Sequence, residues 1–331
     1  MTTTTLLETA RNGLGLGSGE WPEPLADDLA YVRTGIVNLL FFGPEGAGDR
    51  GWVLVDAGIV GSASTILKAA ARRFGPESRP SAIVLTHGHF DHVGALRELA
   101  DRWDVPVFAH LMELPYLTGR SNYPPPDPTV GGGLMASLSW LYPKAPIDLG
   151  GRVKALPTDG SVPGMDGWRW VHTPGHTFGH VSFFRDADRA LIAGDAFITT
   201  KQESALAVLT QEPEIHGPPM YFTPDWPTAW ESVRTLAALE PELALTGHGL
   251  PMSGEGLRSG LHLLARRFGE LAIPEHGRYV GRSAMADDRG VSFVPPDVPH
   301  PMARLLAGVG LGLLAGVGLS ALAGGNRRSS S

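Results

Sequence analysis

Apolar positions along this chain recur in two rhythms that follow one another in order. LAYVRT from Leu29, IVNLLFF from Ile36, GWVLV ending at Val55 and AIVL from Ala82 are strand-length runs rich in β-branched and aromatic residues. Helical spacing appears over 62–74, with Ser62 or Ser64 as the cap, and again over 93–103. A further strand is expected over 105–109. The same rhythm returns later, with VKALPTD from Val153, WRWVH from Trp168, HVSFF from His180 and RALIAG from Arg189. A helix over 225–239, a strand over 242–246 and a last helix over 253–271 complete it. Two strand-and-helix halves predict two sheets meeting face to face, with helices outside.

The halves are separated by 115–143, which holds SNYPPPDPTVGGG and then LMASLSWLYP. Prolines and glycines exclude a regular core element from its first part. A long irregular insertion of this kind is either a lid or binding loop, or a plain surface excursion. The first 20 residues are polar and glycine-rich, without the charged start and apolar run of a secretory signal. Near the other end, 305–323 reads LLAGVGLGLLAGVGLSALA and carries no charge. As a helix it would be roughly 28 Å long, close to the thickness of a bilayer core. Small residues recur every fourth position there, from Gly308 through Gly312, Gly316 and Ser320 to Gly324, a spacing that lets membrane helices pack closely. Five glycines in the run weaken it as a helix. It is a candidate membrane-anchor helix.

A formal net charge of -7 disfavours a broad nucleic-acid surface. The chain has no cysteine, so any metal must be held by nitrogen and oxygen. The residues for that are concentrated in LTHGHFDHVG, Leu85 to Gly94. His87 and His89 leave a strand in extended register, so both imidazoles point to one side and can reach one ion. Asp91 and His92 follow where the chain turns, in a direction suited to a second ion. Gly88 and Gly94 let the backbone turn tightly. His176 in VHTPGH, Asp195 in LIAGD and His248 in LTGHG stand in glycine-containing turns at or close after strand ends. Asp195 is the best candidate for a carboxylate that bridges two ions.

The succession H-x-H-x-D-H, TPGH, GD and GH resembles the metallo-β-lactamase superfamily in its glyoxalase II-like branch, from about Leu29 to Met252. The resemblance implies an α+β fold, a four-layer αββα sandwich with its metals at one sheet edge. It also implies that His87, His89 and His176 hold one metal, that Asp91, His92 and His248 hold the other, and that Asp195 bridges them. Asp56 would support the site, and His180 reads as a hydrogen-bonding neighbour rather than a ligand. The expected cofactors are two zinc ions, with iron or manganese as alternatives, about 3.5–4 Å apart and activating a water. Asp91 is the candidate for orienting that nucleophile and returning its proton.

The expected activity is hydrolysis of a small ester, thioester or lactone. A mononuclear iron enzyme resembling persulfide dioxygenases is the alternative from another class, with a phosphodiesterase or nuclease as a third. Arg266, Arg267 and Arg278 lie where the family's glutathione thioesterases carry basic residues, without a matching motif, and Asp195 is followed by AFIT rather than the tyrosine of the lactonases. Tyr221, His216 and His110 are candidate substrate-loop residues. The expected division is a flexible N-terminus over 1–25, a catalytic domain over 26–272, an irregular linker over 273–304, the anchor over 305–323 and a polar tail over 324–331. Such a protein would keep its catalytic domain in the cytoplasm, tethered to the membrane by the anchor. Its partner would be a small-molecule substrate and not a nucleic acid. Oligomeric state is left open.

Overall fold

A computed structural model describes residues 22–211 and 213–298 of the chain. The strands form two main sheets. The first has seven strands in sequence order: β1 (Glu23–Ala26), β2 (Leu29–Thr34), β3 (Val37–Phe42), β4 (Val53–Val55), β5 (Ala82–Val84), β6 (Val107–Ala109) and β7 (Val153–Ala155). β1 to β4 are antiparallel, whereas β4 to β7 run parallel. Parallel neighbours need crossover connections. Two of these carry helices α1 (Ala63–Phe74) and α2 (Leu96–Trp103). The third crossover is the insertion, which contains the short helices α3 (Leu114–Leu117) and α4 (Leu134–Ser137).

The second sheet is built from β8 (Trp168–His172), β9 (Val181–Arg185), β10 (Ala190–Gly194), β11 (Leu243–Thr246) and β12 (Met252–Ser253), in the order β12-β11-β10-β9-β8. Helices α5 (Ala205–Thr210) and α6 (Trp226–Ala238) lie between β10 and β11, and α7 (Gly254–Leu271) follows β12.

Strand alternation explains the four layers. Leu39, Phe41, Leu54 and Ile83 pack toward α1 and α2, whereas their neighbours Leu40, Val53, Val55 and Val84 face the other sheet. The second sheet repeats this: Phe184, Leu191 and Ala244 pack under α6 and α7, while Phe183, Ile192 and Leu245 face inward. Because side chains alternate across a strand, strands buried on both faces read as the continuous apolar runs seen in the sequence. The fold is thus an αββα sandwich with mixed sheets.

Three expectations need correction or relocation. The last residues of the supposed flexible N-terminus form β1, whose Pro24 is tolerable because the strand lies at a sheet edge. The stretch expected as an irregular linker from 273 carries a hairpin, β13 (Met285–Asp287) paired with β14 (Gly290–Phe293). It is tied down by Tyr279 and Ala284 in the core and by Val291 N–H donating to Ser121 Oγ at 3.1 Å. The insertion is no loose excursion either, since Tyr116, Leu117, Tyr123, Val130 and Ala136 in it are buried. The candidate anchor over 305–323 and the polar tail lie outside the described residues. Among the described residues no helix is long and apolar enough to cross a membrane.

Candidate metal centre

Strand ends of both sheets deliver their side chains to one place. His87, His89, Asp91 and His92 come from the turn after β5, Asp195 from the end of β10 and His248 from the turn after β11. His176 comes from the loop between β8 and β9. All seven are buried. They gather into three overlapping groups: His87 with His89 and His176, His87 with His92 and Asp195, and Asp91 with His92 and His248. Within each group the donor atoms lie within 4.8 Å of one another.

The contacts inside the cluster identify its purpose. His89 Nδ1 lies 3.2 Å from His87 Nε2 and 2.9 Å from His176 Nε2. His176 Nε2 is 3.4 Å from Asp195 Oδ2. Tetrahedral bonds of about 2.0–2.1 Å to one zinc would set such atoms roughly 3.3 Å apart. On the other side, Asp195 Oδ2 is 3.1 Å and Asp91 Oδ2 3.5 Å from His248 Nε2, and His92 Nε2 is 3.6 Å from Asp195 Oδ1. His92 Nε2 and Asp195 Oδ1 are buried without a hydrogen-bond partner. Buried polar atoms are rarely left so, and converging nitrogen and carboxylate donors fit a divalent metal.

Hydrogen bonds around the cluster fix which ring nitrogen faces inward. Asp56, at φ +61°, accepts Thr86 N–H at 2.8 Å and the Thr86 hydroxyl at 2.7 Å. A non-glycine residue in the left-handed region carries strain of about 1–3 kcal/mol, which persists where neighbours enforce it. Thr86 has spent its one proton on Asp56, so its oxygen accepts from His87 Nδ1 at 3.1 Å. Asp56 Oδ2 also accepts His92 Nδ1–H at 2.8 Å. One carboxylate therefore sets the tautomer of two histidines and leaves both Nε2 lone pairs facing inward. His248 Nδ1–H donates to Ile36 O at 2.7 Å. Thr223 donates to Pro219 O and accepts from His176 Nδ1 at 3.4 Å. His180 accepts the backbone N–H of Asp195 at 2.9 Å and holds Thr173 through its other nitrogen at 2.8 Å.

The electrostatics divide the cluster. Burial, joined by repulsion from neighbouring histidines, pushes His87 and His176 well below the usual range, and burial lowers His89 to about 3. These three are neutral near pH 7, the form that ligates a cation. Burial opposes charge on His92 and His248 as well, but Asp195 and nearby carboxylates outweigh it and raise both. Burial also works against charge on Asp195; His248 and His92 overcome it and hold the carboxyl well below the usual range. Burial raises Asp91.

A residue that the sequence did not single out joins the two histidine loops. Glu113, fully buried, accepts Gly88 N–H at 3.0 Å from the first half. It also accepts the Thr177 hydroxyl at 2.6 Å and Gly179 N–H at 3.0 Å from the second. Tyr123 donates to the same carboxylate, and its ring lies 4.7 Å from that of His89. A Cβ at Gly88 would fall 2.5 Å from the Tyr123 hydroxyl oxygen. The glycine is needed there for close approach, not for the tight turn expected of it. Gly247 is similar: a Cβ there would meet Asp195 Oδ1 at 1.9 Å.

The weaker substrate-loop expectations fare differently. A small pocket opens beside His89 and His176. Tyr221 is buried in an aromatic cluster and does not line it, whereas its neighbour Phe222 does. His216 is buried and pairs through its backbone with Ile198. His110 stacks on His172, ring centroids 4.2 Å apart, and does not line the pocket. Arg266 and Arg267 are exposed on α7, and neither lines it.

A sandwich with histidines and carboxylates gathered at its strand ends defines a class of metal-site αββα proteins. Within that class the chain belongs to the metallo-beta-lactamase superfamily, whose family model matches residues 33–248. It is 48% identical over 265 residues to the probable metallo-hydrolase YflN of Bacillus subtilis (strain 168), covering 80% of this chain and 97% of that protein. The probable metallo-hydrolase YybB of the same organism is 30% identical over 196 residues, 59% of this chain and 74% of that one. Among solved structures, the fold resembles a beta-lactamase domain protein from Burkholderia ambifaria, with a TM-score of 0.51 at 22% identity over 74% of this chain and 71% of that one. A metallo-beta-lactamase family protein from Thermus thermophilus gives 0.50 at 21%, over 74% and 81%.

Proposed function

We propose that the chain is a metal-dependent hydrolase of a small ester, thioester or lactone, with His87, His89 and His176 holding one ion and Asp91, His92 and His248 a second. The observation that carries this is the sharing of Asp195, whose two carboxylate oxygens lie within 3.6 Å of donor nitrogens on both sides. The similarity to a probable metallo-hydrolase over most of both chains supports the same reading. Zinc suits this donor set, and iron and manganese share it.

Divalent metal held there supplies Lewis-acid charge that acidifies a water and polarises a carbonyl oxygen. The protein's own residues do the rest. Asp56 and Ile36 O keep the ring nitrogens turned inward. Asp91 is buried at the cluster with Oδ2 3.5 Å from His248 Nε2, a position from which a carboxylate can orient a water and hand its proton to a leaving group. The chain has no cysteine, and the hydroxyls paired with cluster histidines, those of Thr86 and Thr223, donate to Asp56 and to Pro219 O, which favours water as the nucleophile. A mononuclear iron reading would leave Asp91, His92 and His248 converged without a task.

Elemental analysis of the purified chain, paired with a panel of esters, thioesters, lactones and phosphodiesters, tests the proposal. Near two metal ions per chain, with ester, thioester or lactone turnover that chelation abolishes, is the expected result. One iron per chain, no hydrolysis, and oxygen consumption with persulfides would overturn it.

A further inference from the structure

Six of the eleven exposed large apolar side chains among the described residues lie in two short segments. Leu134, Leu138, Trp140 and Leu141 belong to the insertion, and Leu206 and Leu209 belong to α5. The segments touch, since Met135 N–H donates to Glu203 O at 3.3 Å beside the start of α5. Both flank the donor cluster. Tyr142 follows Leu141 and lies against Phe90, ring centroids 5.5 Å apart, and Phe90 stands between His89 and Asp91 in the chain. The chain that leaves Asp195 runs directly into α5.

Core packing does not account for these six. The buried side of α4 is Ala136, and that of α5 is Val208. Leu206 and Leu209 stand one turn apart on the outer side of α5, 70% and 50% exposed. Trp140 is 66% exposed. A helix that is apolar on every side is ordinarily covered, and contiguous exposed apolar surface marks a place of contact.

The chemistry of the face narrows what covers it. None of the six lines the pocket beside His89 or the cavity lined by both sheets, so neither gives this face a cleft for an anchoring side chain. Residues 134–147 and 201–210 carry two exposed lysines, Lys144 and Lys201, and a single carboxylate, Glu203, which is buried. On a chain of net charge -7 this face is therefore locally basic. Two copies meeting through the same patch would bring these lysines together with no exposed carboxylate from either segment between them. A lipid surface needs no cleft. It accepts leucine and tryptophan side chains below its headgroups, and acidic headgroups complement the lysines.

We propose that this face docks on a lipid surface, with acidic headgroups favoured, and turns the metal-centre end of the sandwich toward it. Docking of this kind does not depend on the hydrolase reading.

The chain has no cysteine, so an introduced one carries a label alone. An environment-sensitive fluorophore is placed on the metal-loaded full chain at Leu206→Cys, at Trp140→Cys, or at Leu263→Cys on α7 as an exposed control. Each protein is titrated with vesicles of phosphatidylcholine alone and of an equal mixture with phosphatidylglycerol. The labels at 206 and 140 should shift to the blue on mixed vesicles, and the control should not. Leu206→Glu combined with Leu209→Glu should lower co-sedimentation with those vesicles by about tenfold or more while metal content stays unchanged. Lys144→Glu combined with Lys201→Glu should reduce the preference for mixed vesicles over phosphatidylcholine. No shift at the patch labels, an equal shift at the control, or unchanged co-sedimentation of the Leu206→Glu and Leu209→Glu variant overturns the proposal. Patch labels already bluer than the control in buffer would mean that the face is covered before lipid arrives, by a second copy if dilution reverses the difference and by the chain itself if it does not; either result also overturns it.

Discussion

The first half of the sandwich delivers four converging side chains, His87, His89, Asp91 and His92, from one turn of six residues. The second half delivers three, His176, Asp195 and His248, from three separate loops and turns. In the first half local geometry does much of the positioning, because an extended segment and a turn set four directions at once. The second half has no such economy. Each of its residues is held by a long-range brace: His248 by Ile36 O, Asp195 by His180, and the His176 loop by Glu113. A compact motif is therefore conspicuous in sequence, while its dispersed counterpart becomes conspicuous only once folded.

The largest effect should come from removing the carboxylate whose oxygens face donor nitrogens on both sides of the cluster. Asp195→Asn is expected to deplete metal on both sides and to reduce hydrolysis far more than the ~10–100-fold typical of an outer hydrogen-bonding partner. His87→Ala should abolish occupancy on its own side and most activity. Elemental analysis of both variants, alongside kcat/KM, checks this. Full activity with unchanged metal content in either variant would break the assignment.

Next in size is the joint between the halves. Glu113 accepts four hydrogen bonds, which a carboxylate can do and an amide of the same shape cannot. Glu113→Gln turns an NH2 toward N–H and O–H donors. The expected cost is about 1–3 kcal/mol of stability for the unsatisfied groups and about 10–100-fold in metal affinity. Denaturant unfolding and competition with a chromophoric chelator measure the two separately. A variant with unchanged metal affinity would show that the halves hold their register without this carboxylate.

A smaller effect, confined to the second half, is expected at Asn38. Its amide donates to Thr246 O at 2.9 Å and Gly249 O at 2.7 Å, one on each side of the Gly247–His248 pair. Asn38→Ala should cost about 1–3 kcal/mol. It should weaken metal binding through His248 more than through His87. Equal weakening on both sides would argue that Asn38 supports the sandwich generally and not the His248 turn.

The same division governs what could be read in advance. The strands and long helices were legible because each buries a face and carries a period. The donor set was legible because histidines and aspartates in glycine turns after apolar strands serve little else. Glu113 and Asn38 were not, since their partners lie 10 to 66 and 208 to 211 residues away. Phe222, not Tyr221, faces the pocket because the 3-10 turn Met220–Phe222 sits in an irregular loop with no period to settle its facing. The hairpin over 285–293 did leave a signal. Asp287 to Gly290 reads DDRG, a turn-forming sequence between two short runs, but it lies in a stretch whose prolines, Pro274, Pro295 and Pro296 among them, favour irregular chain.

The smallest expected effect concerns a contact between the halves that takes no part in the donor cluster. His110 follows β6 and His172 ends β8; their rings stack with planes 17° apart. Met112 N–H donates to His110 Nδ1 at 3.3 Å, which fixes that nitrogen as an acceptor, and Trp170 covers the pair with its centroid 5.6 Å from that of His110. Burial first, and then the neighbouring imidazole, lowers His110 to about 4. Its folded value thus lies below the ordinary ~6.5, and the unfolded chain binds more protons between those limits. The stack contributes fully above about pH 6.5, and its contribution is lost as pH falls toward about 4. An NMR titration of His110 should therefore give a midpoint near 4, and His110→Phe, which keeps a ring in the stack, should lose less stability between pH 7 and pH 5 than the parent chain. A midpoint at the ordinary value, or identical acid sensitivity in the two proteins, would mean that the halves are joined at this rim by packing alone and that protonation does not reach the joint.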